Sequence, residues 1–187
     1  MNKFVKHFNT ITYHKWLVFK YCFRMGIIKQ GIMHDLSKYS PTEFMVGVKY
    51  FQGDRSPNNA EREDIGYSSS WLHHKGRNKH HYEYWIDYGK KKNENDFPLT
   101  GMKIPEKYVL EMLADRIAAC KVYQKEQYTD KSPLIYYMQG RDYVIMHEKS
   151  QKLLEKLLYM LSEKGEKYTI TYAKKLVKQL NKGRRLY

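Results

Sequence analysis

The chain has 187 residues, of which 42% are hydrophobic and 29% are charged. This length and composition predict one soluble globular domain over residues 1–187, with a core that needs no disulfide framework. The sequence contains no run of about 18 apolar residues and no apolar leader, so we expect neither a membrane-spanning helix nor a signal peptide. Cys22 and Cys120 lie in apolar helical patterns, which predicts buried thiols and a cytoplasmic location.

The net charge of +14 is concentrated toward the C-terminus. Residues 147–187 carry 11 Lys and Arg against 4 Asp and Glu, a net +7 that is half of the total. The basic C-terminal helices predicted over about 142–187 can therefore bind nucleic acid or another anionic surface through phosphate contacts. A solvated amphipathic face is the alternative explanation, and the more frequent one.

Apolar residues recur at helical spacing along most of the chain, with almost no two-residue alternation. Ser40, Pro41 and Glu43 predict a helix start with a capping box. Pro105 opens another helix, and the turn-rich residues 86–103 predict a long surface loop. The predicted helices cover residues 9–25, 27–38, 41–53, 60–74, 105–123, a short segment from Ser132, 142–163 and 169–181. We therefore predict an all-α bundle of about seven or eight helices.

Two metal-ligating residue types stand side by side in the segment MHDLSKYS, at His34 and Asp35. Adjacent side chains on a helix diverge by about 100°, but both can reach one ion at the helix edge. His14 aligns on its own predicted helix with the apolar residues Leu17 and Val18. It is therefore expected in or beside the buried stripe, either as a ligand or as a core histidine hydrogen-bonded to a neighbour.

Asp115 lies on an apolar face of the predicted helix YVLEMLADRIAACKVY. Its helical neighbours include Met112, Ala118 and Val122, and an unpaired carboxylate in such surroundings is costly or becomes protonated. Arg116 points to another face of the helix. We therefore expect a cation from elsewhere in the fold, either a metal ion or the side chain of a lysine or arginine.

The segment SSSWLHHKGRNKHHYEYW, residues 68–85, contains half of the eight histidines. They are His73, His74, His80 and His81. The two pairs are seven residues apart, so an unbroken helix would place matching histidines on one face. Gly76 and Asn78 equally permit a turn that folds one pair back toward the other. Either geometry can present two or three imidazoles to one cavity, whereas the alternative is a histidine-rich surface. The flanking Trp71 and Trp85 favour a packed wall.

The order of these residues resembles that of the HD-domain superfamily of metal-dependent phosphohydrolases. In chain order the matching positions are His14, His34 with Asp35, His73 or His74, His80 or His81, and Asp115. HDLSK is similar to the HD-x-x-K form found in cyclic-dinucleotide phosphodiesterases of that superfamily. More narrowly, HDLSKYSPTEF and WLHHKGRNKHHYEYW together resemble an uncharacterised family of bacteria and phages. The narrow resemblance covers about residues 10–125.

The resemblance implies an HD-domain-like helical bundle whose core, about residues 10–125, holds one or two divalent ions. The implied metal ligands are His14, His34, Asp35, His74, His80, His81 and Asp115. Asp35 is implied to bridge two ions, and the later histidines to bind the second ion or the substrate. The spacing of 20 residues from His14 to His34 is short for the superfamily, which makes His7 a substitute for His14. The glycine-tyrosine-proline signature is absent, so a cyclic-dinucleotide substrate is not supported.

Mixed imidazole and carboxylate ligands suit Zn, Fe, Mn, Ni or Co. Such an ion lowers the pKa of water from 15.7 toward about 7 and polarises a phosphoryl oxygen. The predicted catalytic residues are Asp35 and Lys38, which lies one turn after His34. The predicted substrate-binding residues are Lys38, His73, Lys75, Arg77 and Asn78. Solvation at the surface is the alternative explanation for the basic residues among them.

The leading functional hypothesis is a metal-dependent phosphohydrolase that acts on a nucleotide or another small phosphoester. An all-α di-iron oxygenase uses the same order of ligands and is the first alternative. A basic nucleic-acid-binding helical protein is the second alternative, which depends on the net charge and not on the ligands. The sequence offers no phosphate-cradling glycine loop, no Cys-x-x-Cys zinc site, and no persuasive serine or cysteine nucleophile.

Overall fold

The computed structural model describes residues 2–91 and 98–183, and most of these residues are helical. Eight α-helices lie in this part of the chain, which confirms the all-α fold class. They are α1 (Lys3–Met25), α2 (Ile28–Met33), α3 (Pro41–Lys49), α4 (Pro57–Ile65), α5 (Ser69–Lys75), α6 (Glu106–Gln124), α7 (Ser132–Gly140) and α8 (Glu148–Asn181). Short 3₁₀ turns and one two-stranded sheet, β1 (Ile86–Tyr88) with β2 (Leu99–Gly101), connect them.

The core is built around α6, which is buried on nearly every side. Leu110, Leu113 and Ile117 of this helix have no exposed surface. α1 and α8 both pack against α6, and their apolar faces contribute Val18 and Leu157 to the same core. The packing of α1 against α6 brings polar residues of two helices distant in sequence into one buried region.

The chain reverses direction after α1 at Gly26. This glycine has φ +87°, a left-handed conformation that costs little without a side chain, and its N–H donates to the carbonyl oxygens of Cys22 and Phe23. Gly31 of α2 then lies against α1, where an added Cβ would stand 2.8 Å from Cys22 Cβ. This close approach places the end of α2 beside the middle of α1.

Several predicted helix boundaries are wrong. α1 begins at Lys3 and not at residue 9, and the helix predicted to reach residue 53 ends at Lys49. The helix predicted over 60–74 is two helices, α4 and α5, which separate at Gly66 with φ +82°. The left-handed Gly66, whose N–H donates to the carbonyl oxygen of Arg62, ends α4.

The segments around the predicted loop and the C-terminus also differ from expectation. The predicted loop 86–103 includes β1 and β2, which pair antiparallel with Ile86 opposite Gly101, while its residues 92–97 lie outside the described residues. The two predicted C-terminal helices form α8, interrupted by the non-helical Gly165. Residues 184–187, the end of the predicted basic tail, also lie outside the described part. None of the described helices combines the length and apolar character needed to cross a membrane.

The partly buried carboxylate of Glu166 links α8 to α1 and α6 through hydrogen bonds. It accepts hydrogen bonds from Lys121 Nζ at 2.6 Å, Arg24 Nη1 at 2.8 Å and Tyr21 Oη at 2.7 Å. Partial burial acts to raise the pKa of Glu166, but these donors lower the pKa to about 2. The carboxylate is therefore ionised at neutral pH and stabilises the junction of three helices.

We predict that Glu166→Gln lowers the free energy of unfolding by roughly 2 kcal/mol at pH 7. A carboxyl group whose pKa is depressed on folding stabilises the protein above its unfolded pKa of about 4.3. That contribution is lost as the pH falls through the folded pKa of about 2. The difference between wild type and variant should therefore shrink between about pH 4.5 and pH 2 in urea denaturation followed by circular dichroism.

The matched control is Glu163→Gln, at an exposed position of α8. It should change stability by less than about 0.5 kcal/mol at either pH. A loss for Glu166→Gln that stays constant over the whole pH window would contradict the ionic explanation.

Candidate metal centre

The turn between α2 and α3 carries the two central residues. The sequence predicts His34 and Asp35 on a helix. α2 ends at Met33, so both residues lie in the turn that follows it. His34 has φ −52° and ψ 126°, and Asp35 has the left-handed values 52° and 27°. The turn places both side chains in the interior, where His34 is 1% and Asp35 is 2% exposed. Lys15 Nζ donates to the carbonyl oxygens of Ile32 and His34 at 2.7 and 2.6 Å, which fixes this turn against α1.

The Asp35 carboxylate lies between two sets of imidazoles. Its Oδ2 is 3.2 Å from His34 Nε2 and 3.8 Å from His14 Nε2. Its Oδ1 is 3.2 Å from His74 Nε2 and 3.4 Å from His80 Nε2. Each oxygen therefore faces a different pair of histidines.

The first group of potential ligands, called site A here, joins α1, the α2–α3 turn and α6. Its members are His14, His34, Asp35 and Asp115, each with one ligand atom within 4.8 Å of the others. His14 Nε2 is 3.0 Å from Asp115 Oδ1 and 3.4 Å from His34 Nε2. Asp115, the charged residue on the apolar face of α6, therefore contacts one imidazole from α1 and one from the α2–α3 turn.

The second group, called site B, forms where the chain folds back after α5. Its members are Asp35, His74, His80 and His81, again with ligand atoms within 4.8 Å of one another. The helix ends at Lys75, so the sequence adopts the broken geometry and not the unbroken helix. His74 Nε2 and His81 Nε2 approach to 3.0 Å. The Trp71 ring packs against both imidazoles, which forms the expected aromatic wall.

Two glutamates that were not assigned to the site from the sequence orient its imidazoles. Glu111 Oε1 lies 2.9 Å from His34 Nδ1 and 3.2 Å from His80 Nδ1, so these three residues form a further potential ligand group on the outer side of the rings. Glu43 Oε2 lies 2.7 Å from His74 Nδ1. When Nδ1–H donates to a carboxylate, the ring presents its Nε2 lone pair to the centre, as in histidines that bind metals.

Both glutamates leave a signal in the sequence. Glu111 lies four residues before Asp115, one turn away on the same side of α6, and is itself a charge in an apolar pattern. Glu43 matches a capping box with Ser40, but that prediction is wrong. The Ser40 side chain makes no capping hydrogen bond, and the Glu43 carboxylate contacts two histidines of α5 instead.

The centre contains buried polar atoms that lack partners. Both Asp35 oxygens and His80 Nε2 have no hydrogen-bond partner among the described residues. Lys38 Nζ lies 2.6 Å from Asp35 Oδ2, close enough for an ion pair but without the angles of a hydrogen bond. Orphaned acceptors in a protein interior are costly, and a cation among them would satisfy all three. The residues present therefore fit a divalent transition metal.

Burial and neighbouring charges set the protonation of these groups. Burial acts to raise the pKa of Asp35, but the charges of His34 and Lys38 hold that pKa well below its usual range. Burial likewise acts to raise the pKa of Asp115, and hydrogen bonds from two histidines hold it well below the usual range. Burial lowers the pKa of His81 well below its usual value. Burial acts to lower the pKa of His34, but the charge of Asp35 raises it well above its usual value. The carboxylates and His81 therefore have the forms that bind metal ions, whereas an ion bound to His34 would displace a proton.

Of the predicted substrate-binding residues on the α5 side, none points its polar group at Asp35. His73 Nδ1 lies 2.6 Å from Glu43 Oε1, at the edge of site B. Asn78 Nδ2 donates to the carbonyl oxygen of His74 at 2.9 Å, which supports the turn after α5. Arg77 is exposed and donates to the carbonyl oxygen of His73.

The remaining predicted residues divide between the centre and its surroundings. Lys38 lies at the centre beside Asp35, whereas Lys75 is half-exposed at the end of α5. The substitute ligand His7 is buried outside both sites, against Phe44 of α3. His14, and not His7, is therefore the α1 histidine of site A.

The fold and the centre together define an all-α protein with a buried cluster of histidines and carboxylates. The chain belongs to a family of unknown function (DUF5662), whose model matches residues 3–160. The matched region includes every residue of sites A and B and ends within α8. Comparisons with curated proteins and with solved structures find no significant match.

We predict that Glu111→Gln destabilises the protein by roughly 2 kcal/mol in buffer containing a metal chelator. The amide keeps the shape of the side chain, and its carbonyl oxygen can still face both imidazoles, but it carries no charge, so two buried imidazole N–H groups lose a charge-assisted hydrogen bond. Glu106→Gln is the matched control on the same helix, because Glu106 pairs with Lys103 near the surface at 3.2 Å. It should cost less than about 1 kcal/mol in the same denaturation experiment. Equal losses for the two variants would refute the orienting role of Glu111.

Proposed function

We propose that this protein is a metal-dependent phosphohydrolase that acts on a nucleotide or another small phosphoester. The observation that carries the proposal is Asp35, whose two oxygens face the histidines of site A and of site B separately. A shared carboxylate of this kind suits two adjacent divalent ions, an arrangement common in enzymes that cleave phosphate esters. The resemblance of the ligand order to the HD-domain superfamily supports the same reaction class.

Each site offers the donor types that transition metals bind. Site A would hold an ion through two imidazoles and two carboxylates, and site B through three imidazoles and the shared Asp35. These mixed sets suit Zn, Fe, Mn, Ni or Co. A bound divalent ion supplies a lowered pKa for water, toward about 7, and polarisation of a phosphoryl oxygen.

Lys38 supplies a fixed positive charge beside Asp35. Burial acts to lower its pKa, but the charges of Asp35 and Asp115 raise the pKa of Lys38, so the amine is protonated at neutral pH. Lys38 also lines an internal cavity of about 60 Å³ together with His74 and Tyr123, which is space for about two water molecules. There the ammonium can bind a phosphoryl oxygen and stabilise the charge that develops on it as the ester bond breaks.

The outer glutamates and the aromatic wall keep the centre in one arrangement. Glu43 and Glu111 hold protons on Nδ1 of three histidines, which fixes the direction of each Nε2 lone pair. The Trp71 ring packs against the His74 and His81 rings, at ring-centroid distances of 5.5 and 4.6 Å. Substrate therefore meets ligands that are already oriented, and little reorganisation accompanies the reaction.

Metal analysis of protein purified without chelator provides the first test. We expect one or two transition-metal ions per chain by inductively coupled plasma mass spectrometry, and their loss in Asp35→Ala because that carboxylate faces both sites. His14→Ala and His81→Ala should each remove one ligand of one site only, so a protein that binds two ions should keep roughly half of its metal. His147→Ala, a change at the start of α8, should leave the metal content unchanged. Wild-type metal content in Asp35→Ala would refute the shared-ligand arrangement.

A hydrolysis panel provides the second test. Nucleoside mono-, di- and triphosphates and p-nitrophenyl phosphate are incubated with protein loaded with each of the five metals, and released phosphate or nitrophenol is measured. Lys38→Met should lower kcat by roughly 10²-fold at unchanged metal content, and Lys38→Arg should recover part of the rate because it keeps the charge. Lys174→Met on the exposed side of α8 is the control and should keep full activity. No turnover of any ester with any metal would refute the proposal.

A di-iron oxygenase remains the second candidate function, because imidazoles around a shared carboxylate also suit a pair of iron ions. Two results together would favour it: iron with a charge-transfer absorption band in the purified protein, and no ester hydrolysis with any metal. A nucleic-acid-binding role would instead give strongly salt-dependent binding that survives Asp35→Ala, because the basic face of α8 does not depend on the centre.

A further inference from the structure

A groove of about 850 Å³ opens beside the metal centre, between α1, the turn after α3 and the C-terminal end of α6. Thr10 and Phe51 line this groove and also line the internal cavity that contains Lys38 and His74. The groove and this cavity therefore adjoin at these two side chains, on the side of the proposed centre where Lys38 lies. Its volume lies within the range of about 300–1,000 Å³ that is usual for small-molecule sites.

The groove follows the two helices that supply ligands to site A. Lys6 precedes His14 on α1 by eight residues, and Lys125 follows Asp115 by ten residues at the end of α6. At 1.5 Å per residue, the two lysines stand about 12 and 15 Å along the helices from the centre. A molecule that contacts both the centre and these lysines must be elongated, which a single phosphate group is not.

The charges in the groove favour an anionic occupant. Its charged lining residues are Lys6, Lys121, Lys125 and Glu126. Lys121 Nζ is engaged by Tyr21 Oη and the Glu166 carboxylate, both at 2.6 Å. Within residues 2–91 and 98–183, no carboxylate forms an ion pair with Lys6 or Lys125. Two ammonium groups therefore remain available for phosphate oxygens.

The uncharged lining favours a planar group in the same ligand. Tyr13, Phe51 and Tyr128 lie along the groove, and Tyr13 is 52% exposed. Aromatic faces of this kind stack on nucleobases, and the stacking tolerates any base because each has a π-face. Asn9 on the rim adds an amide that can donate to and accept from a base edge.

Lys125, in the lining of the groove, has a backbone conformation that is rare for a residue with a side chain. Only Asp35 and Lys125 have positive φ among the non-glycine residues of the described part of the chain, and Lys125 has φ 51° and ψ −118°. A residue with a side chain adopts this conformation at a cost in free energy, and such residues cluster at functional sites. One of the two lies in the candidate metal centre, and the other lies in the neighbouring groove.

We propose that this groove binds a nucleoside di- or triphosphate. Its terminal phosphate points to Lys38, where hydrolysis by water would break the anhydride bond to the next phosphate. The remaining phosphates extend toward the amines of Lys6 and Lys125, which flexible four-carbon stems carry nearer to the centre than their Cα atoms. The base lies on the aromatic residues. The assignment rests on the proposed phosphohydrolase function for the phosphate at the centre. The groove itself accounts for the remaining phosphates and the base.

Isothermal titration calorimetry with the full-length, metal-loaded protein tests the proposal. The probes are the non-hydrolysable α,β-methylene diphosphates of adenosine, guanosine, cytidine and uridine, each compared with its monophosphate and with a single-stranded oligonucleotide. At least one diphosphate should bind roughly tenfold more tightly than its monophosphate. Lys6→Met and Lys125→Met should each weaken that binding roughly fivefold to tenfold.

Two control variants separate loss of the amine from damage to the fold. Lys178→Met removes an exposed charge of α8 outside the groove and should change the affinity less than about twofold. Lys125→Gly suits the positive φ, so it should raise the melting temperature while it weakens binding as much as Lys125→Met does. Unchanged affinity in the groove variants, or tighter binding of the oligonucleotide than of every diphosphate, would overturn the proposal.

The same measurements separate this proposal from the proposed function. Lysine-dependent binding of a diphosphate, with no ester hydrolysed by any metal form, would support the groove and refute the hydrolase. Hydrolysis of p-nitrophenyl phosphate at a rate that depends on Lys38, without binding of any diphosphate, would support the hydrolase and refute the groove assignment.

Discussion

The structure depends on one buried carboxylate, that of Asp35. A charge with 2% exposure must be neutralised inside the protein, and several elements of the fold serve that end. Lys15 anchors the turn that carries Asp35, and Gly31 lets α2 approach α1 closely enough for that turn to reach the interior. Lys38 and the surrounding imidazoles then share the charge, so the geometry of four chain segments converges on a single side chain.

Two carboxylates one turn apart on α6 contact opposite sides of the imidazole rings. Asp115 faces Nε2 atoms of histidines inside the centre, whereas Glu111 faces Nδ1 atoms on their outer side. The same helix packs with its apolar residues against α1 and α8, so the positions of both carboxylates are set by the hydrophobic core. Stability and ligand geometry therefore have a common origin, and changes in the core of α6 act on the centre as well.

Local periodicity predicted the all-α class but not every helix boundary, and a charge on an apolar face predicted that Asp115 meets a partner from elsewhere in the fold. The remaining parts of the centre depend on tertiary contacts. The position of Glu43 in the sequence matches a capping box, but its carboxylate contacts a histidine of α5. This contact depends on how α5 packs, which the local sequence does not show. The left-handed backbone of Asp35 follows a segment whose helical pattern continues without a break. Glu111 is a charge in an apolar pattern like Asp115, but the sequence does not show which histidines it contacts, and only the packed fold does.

The separation of the ligands along the chain has a consequence for folding. His14 and Asp115 lie 101 residues apart, and their meeting requires the docked pair α1 and α6. Contacts of such long range form late in folding, because the chain loses entropy when the loop closes before burial of the contact can stabilise it. Within residues 2–91 and 98–183, no isolated helix or hairpin contains a complete ligand group. An ion held by either full group would therefore require the assembled tertiary structure.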